Sequence, residues 1–257
     1  LLDAVVASQA RLVARWLGVG FIHGVMNTDN CAISGETLDY GPCAFMDRFE
    51  AGKVYSSIDQ FGRYAFNRQP DIAVWNLAQF ATAILPLIDD DSDRAVEVAT
   101  EAVNRFPDLF AAAWAEVFGA KLGLTDWREG DGQLVNDLLS AMETGQADFT
   151  NAFAGLADGT AEAAFADPAP FAPWAARYEA RLAAQGGADK AAMAHANPRV
   201  IPRNHKVEAM IAAAVTGDFA PFHRLLDTVT RPFEAPPEAF ARPPEPDEEV
   251  RQTFCGT

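Results

Sequence analysis

Helical spacing runs through most of this 257-residue chain and fails in one long interval, and that contrast limits the fold more than any other feature. Leu2, Val6, Ala10, Val13 and Leu17 recur at three and four residues, the period of an amphipathic helix, and Gly18 and Gly20 close it. The period returns at Asp71. Ile72, Trp75, Leu77, Phe80, Ile84 and Leu87 suit one buried helix that ends near the acidic turn Asp89 to Asp93. Residues 95–122 (broken at Pro107), 133–142, 174–185 and 207–215 read as further helices, with 167–173 as an extended connector. Trp75, Asn76 and Trp114 fall on apolar helical faces and belong in the core. Between the first helix and Asp71 the pattern differs. Residues 32–38 predict a short hairpin turning at Gly35-Glu36, and 42–70 a long ordered loop. The fold class is therefore α+β and mainly helical, with no internal repeat and no second domain evident. Residues 231–248, with six prolines and clustered acids, predict an extended or mobile tail, so the expected division is 1–230 and 231–257.

Composition removes several function classes. The net charge of −16 opposes a nucleic-acid or anionic-membrane surface, which needs clustered Lys and Arg. No run of about eighteen uncharged apolar residues is present to span a bilayer. The start carries neither an initiator Met nor a signal-peptide layout, so the chain is expected to begin inside a longer protein. Cys31, Cys43 and Cys255 are too few and scattered for a disulfide scaffold or a zinc site, and they suggest reduced thiols in a cytoplasmic protein. Asp89 to Asp93 fails as a calcium loop, because Arg94 stands where Gly is needed and Thr100 where Glu is needed, and it reads as the acidic start of a helix. Arg199, Arg203, His205 and Lys206 form the densest basic cluster, open either to phosphate or the acidic tail, or to ordinary surface ion pairs.

The chemistry gathers in Phe21 to Gly41. Protein kinases build a site from H-R-D-x-x-x-x-N followed by D-F-G, in which the first Asp handles the substrate hydroxyl while Asn and the later Asp hold magnesium. Here His23-Gly24-Val25-Met26-Asn27-Thr28-Asp29-Asn30 keeps His and Asn at that separation, and Asp39-Tyr40-Gly41 follows. Val25 stands where the hydroxyl-handling Asp belongs, and valine cannot accept a proton. Either the site is inactive or another group has taken over, and Asp29 is the obvious replacement. Asn30 and Asp39 remain as hard oxygen ligands for magnesium. Arg63 falls in the segment after this site, placed to pair with Asp29 or Asp39 or to pack on Tyr64.

The runs HGVMNTDN, LDYGPCAFMD, SSIDQFGRYAFNRQPDIAVWNLAQ, NPRVIPRNHKVEAMI and the terminal TFCGT resemble the selenoprotein O family. That resemblance implies a protein kinase-like (pseudokinase-like) fold that binds ATP in a flipped orientation. It implies transfer of AMP to Ser, Thr or Tyr hydroxyls of protein substrates, with Asp29 as proton acceptor. Asn30 and Asp39 would be ligands of magnesium (or manganese), and Asp39 would also lie near the nucleotide. The family's N-terminal lobe carries a glycine-rich loop, a phosphate-binding Lys and a Glu, none of which occurs here. The chain therefore reads as the C-terminal lobe, unable to transfer AMP unaided. Cys255 matches the position of selenocysteine in animal members. In the family a tail cysteine can bridge to one near the active site, for which Cys43 is the partner here, whereas some relatives carry theirs near Tyr55. Ordinary phosphoryl transfer and a non-catalytic pseudokinase scaffold are the alternatives.

Overall fold

In the computed structural model, which describes residues 1–254, the apolar period at the start of the chain becomes helix α1, Leu2–Gly18. Two compact units are found: Leu1–Cys43, Gly52–Glu116 and residues 252–254 form the first, and Ala44–Ala51 with Val117–Arg251 form the second. Nearly all the regular structure is helical.

In the first unit, α1 buries Leu2, Val6, Ala10, Val13 and Leu17, the five expected positions. Gln9 joins that buried face because its amide donates to the Ala32 carbonyl at 2.7 Å. Strand β1, Phe21–Ile22, follows. Strands β2, Cys31–Ala32, and β3, Glu36–Thr37, then pair antiparallel with Cys31 opposite Thr37 and Ala32 opposite Glu36. That register puts the turn at 33–35, slightly before the expected Gly35-Glu36. Gly35 closes the turn at φ +84°, and a Cβ there would stand 2.8 Å from the Ser8 Cβ of α1, so the hairpin tip needs glycine.

The helix expected from Ile72 to Leu87 is two pieces, α2, Gln69–Ala83, and α3, Leu85–Ile88. Pro86 explains the break, since its ring would meet the Thr82 carbonyl and it has no N–H to continue the ladder. Two residues assigned to the buried face are instead exposed, Trp75 by 45% and Leu87 by 84%. Trp114 is half-buried. The acidic turn caps α4, Ser92–Asn104, with the Asp91 carboxylate accepting from the N–H groups of Asp93 and Arg94 at 2.9 and 3.2 Å. Helix α5, Phe106–Lys121, begins after a break at Arg105 with Pro107 in its first turn. α1, α2 and α4 pack on one another, so the loop and hairpin of residues 21–41 rest on a helical base.

The second unit is built around aromatic rings. α6, Asp131–Thr144, packs on α8, Phe171–Ala183, which starts two residues before Pro173 and so shortens the expected connector. The Trp174 indole donates to the Leu134 carbonyl and the Tyr178 hydroxyl to the Leu122 carbonyl, both at 2.8 Å. α7, Phe149–Gly155, contributes Phe149 and Phe153, whose centroids lie 4.9 Å apart. Lys121 is buried beside them with its ammonium 4.3 Å from the Phe153 ring, and burial pulls its pKa down to about 7. α9, Lys190–Ala196, α10, Asn204–Val215, α11, Ala220–Val229, and α12, Glu238–Ala241, follow. Helices α7, α9, α11 and α12 run four to ten residues, too short for a periodic pattern to announce them.

Candidate active site

The first functional segment is held from below by one side chain. Gln69, fully buried at the start of α2, accepts the His23 N–H on its Oε1 at 3.1 Å and donates from Nε2 to the Phe21 carbonyl at 3.0 Å. This clamps β1 and the residue after it onto α2. Gly24 then turns the chain at φ +83°, where a Cβ would come within 2.9 Å of the Pro42 carbonyl oxygen. Kinases carry arginine at this place; here the backbone path admits only glycine.

The next layer ties the loop to the hairpin. The Val25 N–H donates to His23 Nδ1 at 3.3 Å, so that nitrogen is the acceptor and Nε2 carries the ring proton. Nε2–H then donates to the Thr37 hydroxyl at 2.6 Å, and the hydroxyl donates onward to the Asn30 carbonyl at 2.8 Å. Burial pushes the His23 pKa below its ordinary value against the opposing pull of Asp39, in keeping with a neutral ring. The Leu38 N–H reaches the same Asn30 carbonyl at 3.3 Å. Asn76 of α2 is buried as expected and donates to the Met26 carbonyl and to Cys31 Sγ, each at 3.0 Å.

On this scaffold Asp29 is exposed on the short 3-10 turn Thr28–Asn30. The Asn30 amide donates to the Val25 carbonyl at 2.9 Å, which orients the side chain and leaves Oδ1 as a free-facing acceptor type. Asp39, exposed, uses Oδ1 to accept the Gly41 N–H at 2.8 Å, and Oδ2 remains. The hairpin thus brings the Asn30 and Asp39 arms together through Thr37 and Leu38. Among the described residues no group of three or more His, Cys, Asp or Glu side chains gathers round one point. The donor set at Asn30 and Asp39 is two hard oxygens, which fits a magnesium ion completed by phosphate and water rather than an all-protein cage.

Beside Val25 lies a cleft of about 540 Å³ lined by Val25, Asn27, Ile58, Phe61, Tyr64 and Asp71, among others. Its wall is ordered by the Asp59 carboxylate, which accepts from the N–H groups of Arg63 and Tyr64 at 2.8 Å each. The Tyr64 hydroxyl donates to Asn27 Oδ1 at 2.7 Å. Arg63 lies over the rings of Trp75 and Tyr64, 4.9 and 5.7 Å from their centroids, so of its two expected roles the packing one is seen. The guanidinium covers part of the ring that Trp75 leaves at the surface.

Cys31 and Cys43 are free thiols, half-buried. Burial, with Asp39 adding to it, pushes the Cys43 pKa up to about 11, and burial also raises that of Cys31. Cys255 lies outside the described residues. Just before it, Thr253 exchanges backbone hydrogen bonds with Tyr55 and Ser57 at 2.8 and 3.0 Å, and its hydroxyl donates to the Pro42 carbonyl next to Cys43.

The basic cluster does not form a phosphate surface. Arg203 is 1% exposed and donates to Asp47 at 2.6 Å, to Asp148 at 2.7 and 3.1 Å, and to the Ala241 carbonyl at 2.7 Å. His205 is buried, and Arg199 pairs with Asp158 at 3.6 Å. Thr37 carries no signal in the sequence beyond its place within the motif, and Gln69, 46 residues from His23, carries none.

The family model described as protein adenylyltransferase SelO matches residues 1–230. A protein nucleotidyltransferase YdiU of Ruegeria sp. (strain TM1040) is 55% identical over 260 residues, covering all of this chain and 54% of that protein. That of Jannaschia sp. (strain CCS1) is 56% identical over 266 residues, covering all of this chain and 55% of the relative. That of Rhodopseudomonas palustris (strain BisB5) is 51% identical over 271 residues, again across all of this chain and 55% of the relative. The chain spans about half the length of the curated relatives it matches.

Proposed function

The chain belongs to the SelO protein adenylyltransferase family, and from that premise we propose that it supplies the metal-binding and acceptor side of an enzyme that transfers AMP from ATP to Ser, Thr or Tyr hydroxyls of proteins. The observation that carries this reading is the hairpin: the Asn30 main chain is tied to Thr37 and Leu38, the residues that lead to Asp39, while Val25 replaces the acid that phosphate transfer would use. The acceptor oxygen bonds to the α-phosphorus, the bond from that phosphorus to the bridging oxygen of the β-phosphate breaks, and pyrophosphate leaves. Asp29, exposed beside Asn30, orients the hydroxyl and takes its proton, a contribution of about 10²–10⁴-fold. Asn30 Oδ1 and Asp39 would hold the cation. Magnesium (or manganese) bound there would offset charge developing on the phosphate oxygens. The cleft beside Val25 supplies a place for the acceptor segment, and the fold is read as the C-terminal lobe of a kinase-like protein.

Because the matched relatives are nearly twice as long, the 257-residue chain alone is expected to transfer nothing. A chimera in which it replaces the matching segment of the Ruegeria relative is expected to transfer. ATP labelled at the α-phosphate should mark a protein acceptor in the chimera, and γ-labelled ATP should not. Label arriving only from the γ position would establish a kinase, and label from neither position would favour a scaffold. Cys43 and Cys255 form the proposed redox pair, supported by the seat of Thr253 on Pro42. Peptide mapping without reductant, after mild oxidation, should find the two joined; free thiols throughout would remove the pair.

A further inference from the structure

We propose that Thr37 is a positioning residue that sets the separation of the two metal-binding arms; this rests on the assignment of Asn30 and Asp39 made above. A hydroxyl has one proton to donate and can accept in return, and Thr37 does both in fixed directions. It accepts from His23 Nε2 at 2.6 Å and donates to the Asn30 carbonyl at 2.8 Å, while the Asp39 carbonyl stands farther off at 3.4 Å. The direction is not free to reverse. Val25 N–H fills His23 Nδ1, so the ring proton is on Nε2, and the hydroxyl proton is left for Asn30. Thr37 is 8% exposed and His23 1%, so water does not compete for either bond.

The consequence is a relay from the clamp on α2 to the ligand arms. Gln69 holds the His23 backbone, the His23 ring aims at Thr37, and Thr37 draws the Asn30 carbonyl toward the strand that leads to Asp39. Thr37 holds the main chain of Asn30 and not its Oδ1, so it acts on where the ligand side chain stands; partners that bond a ligand atom directly alter metal affinity by about 10–100-fold, and the lower end of that range is expected here. The role belongs to the hydroxyl, which makes both bonds.

Thr37→Val keeps the shape and removes the hydroxyl, and Thr37→Ser keeps the hydroxyl and removes the methyl. Manganese binding in the presence of a non-hydrolysable ATP analogue, read by electron paramagnetic resonance on the Ruegeria chimera, should weaken about 10-fold or more in Thr37→Val. It should return to within about twofold of wild type in Thr37→Ser. Nitrogen-15 spectra of the 257-residue chain should show the neutral Nε2–H form of His23 in wild type and Thr37→Ser. In Thr37→Val the Nε2 resonance should move, and the Leu38 amide should exchange at least tenfold faster. Unchanged manganese affinity in a folded Thr37→Val, or loss in Thr37→Ser as severe as in Thr37→Val, would overturn the proposal. If wild type binds no manganese, the ligand assignment fails. The nitrogen-15 and exchange readouts still decide the relay, since a slow Leu38 amide and an unshifted His23 in Thr37→Val would refute it.

Discussion

Two regions of the molecule collect carboxylates, and they treat them in opposite ways. In the second unit Asp47 and Asp148 close on Arg203, which is 1% exposed, and every contact among them is 3.1 Å or shorter. In the first unit Asp29 and Asp39 stand exposed, and no ion pair among the described residues involves either. Around them the hydrogen-bonded side chains are neutral ones: His23, Thr37 and Gln69, with Asn76 bonded through its amide nitrogen. The contrast separates charge that ties a fold together from charge left at the surface, where the proposed function would use it. A buried acid without its cation is strongly unfavourable, whereas an exposed acid costs the fold little.

Removing one member from each region breaks the comparison most directly. Under the proposed assignment, Asp39→Ala in the chimera lowers AMP transfer on the order of 10³-fold. Its unfolding free energy should stay within about 0.5 kcal/mol of wild type in urea titration. A large loss of stability would place Asp39 with the structural acids. Arg203→Leu should do the reverse to the second unit, leaving two acids buried without a partner and destabilising it by about 3–5 kcal/mol. A shift under about 1 kcal/mol in denaturant unfolding would show that the triad holds nothing.

Smaller effects sharpen the same contrast through groups that are buried without an opposite charge in contact. Lys121 has a folded pKa of about 7 against an ordinary 10.5, so at and below neutral pH the folded chain carries an unfavourable buried charge. Between those values the unfolded chain holds the proton and the folded one does not, so stability rises with pH. Lys121→Met should therefore add about 1–3 kcal/mol at pH 7 and flatten the rise toward pH 10, both readable by thermal unfolding. His205 runs in the other pH window. Neither ring nitrogen has a partner, and burial, helped by Lys206, lowers its pKa to about 4 from 6.5. As pH falls through that interval the unfolded chain binds the proton first, so stability present above 6.5 is lost on the way to 4. His205→Phe should remove about 1 kcal/mol of that acid sensitivity between pH 7 and 5; an identical slope in both proteins would exclude His205 as its source.

The helical frame was legible where a helix is long and one-faced. α1, α4, α6 and α8 lie within a few residues of the expected spans because their apolar period survives over thirteen residues or more. Trp75 and Leu87 show where that reasoning stops. The period marks a face as apolar but does not say whether anything covers it: Trp75 stays 45% exposed, with the Arg63 guanidinium lying over its ring. The candidate site was readable as an order of residue types, His23, Asn30 and Asp39 around a valine. The basic cluster was readable only as composition, and Arg203 proved to be a buried tie.

Sequence alone determined that this chain is mainly helical and which family it belongs to, and it singled out residues 21–41 as the candidate site. Each of those is carried by local spacing or by the order of residue types, and neither needs distant contacts. Only the tertiary structure decided what positions the site. Gln69 meets His23 across 46 residues, Asn76 meets Met26 across 50, and the Thr37 hydroxyl chooses its donor and acceptor by where folding places them. A hydrogen bond depends on distance and direction in space, and a glutamine or threonine gives no sign along the chain of which partner it will meet.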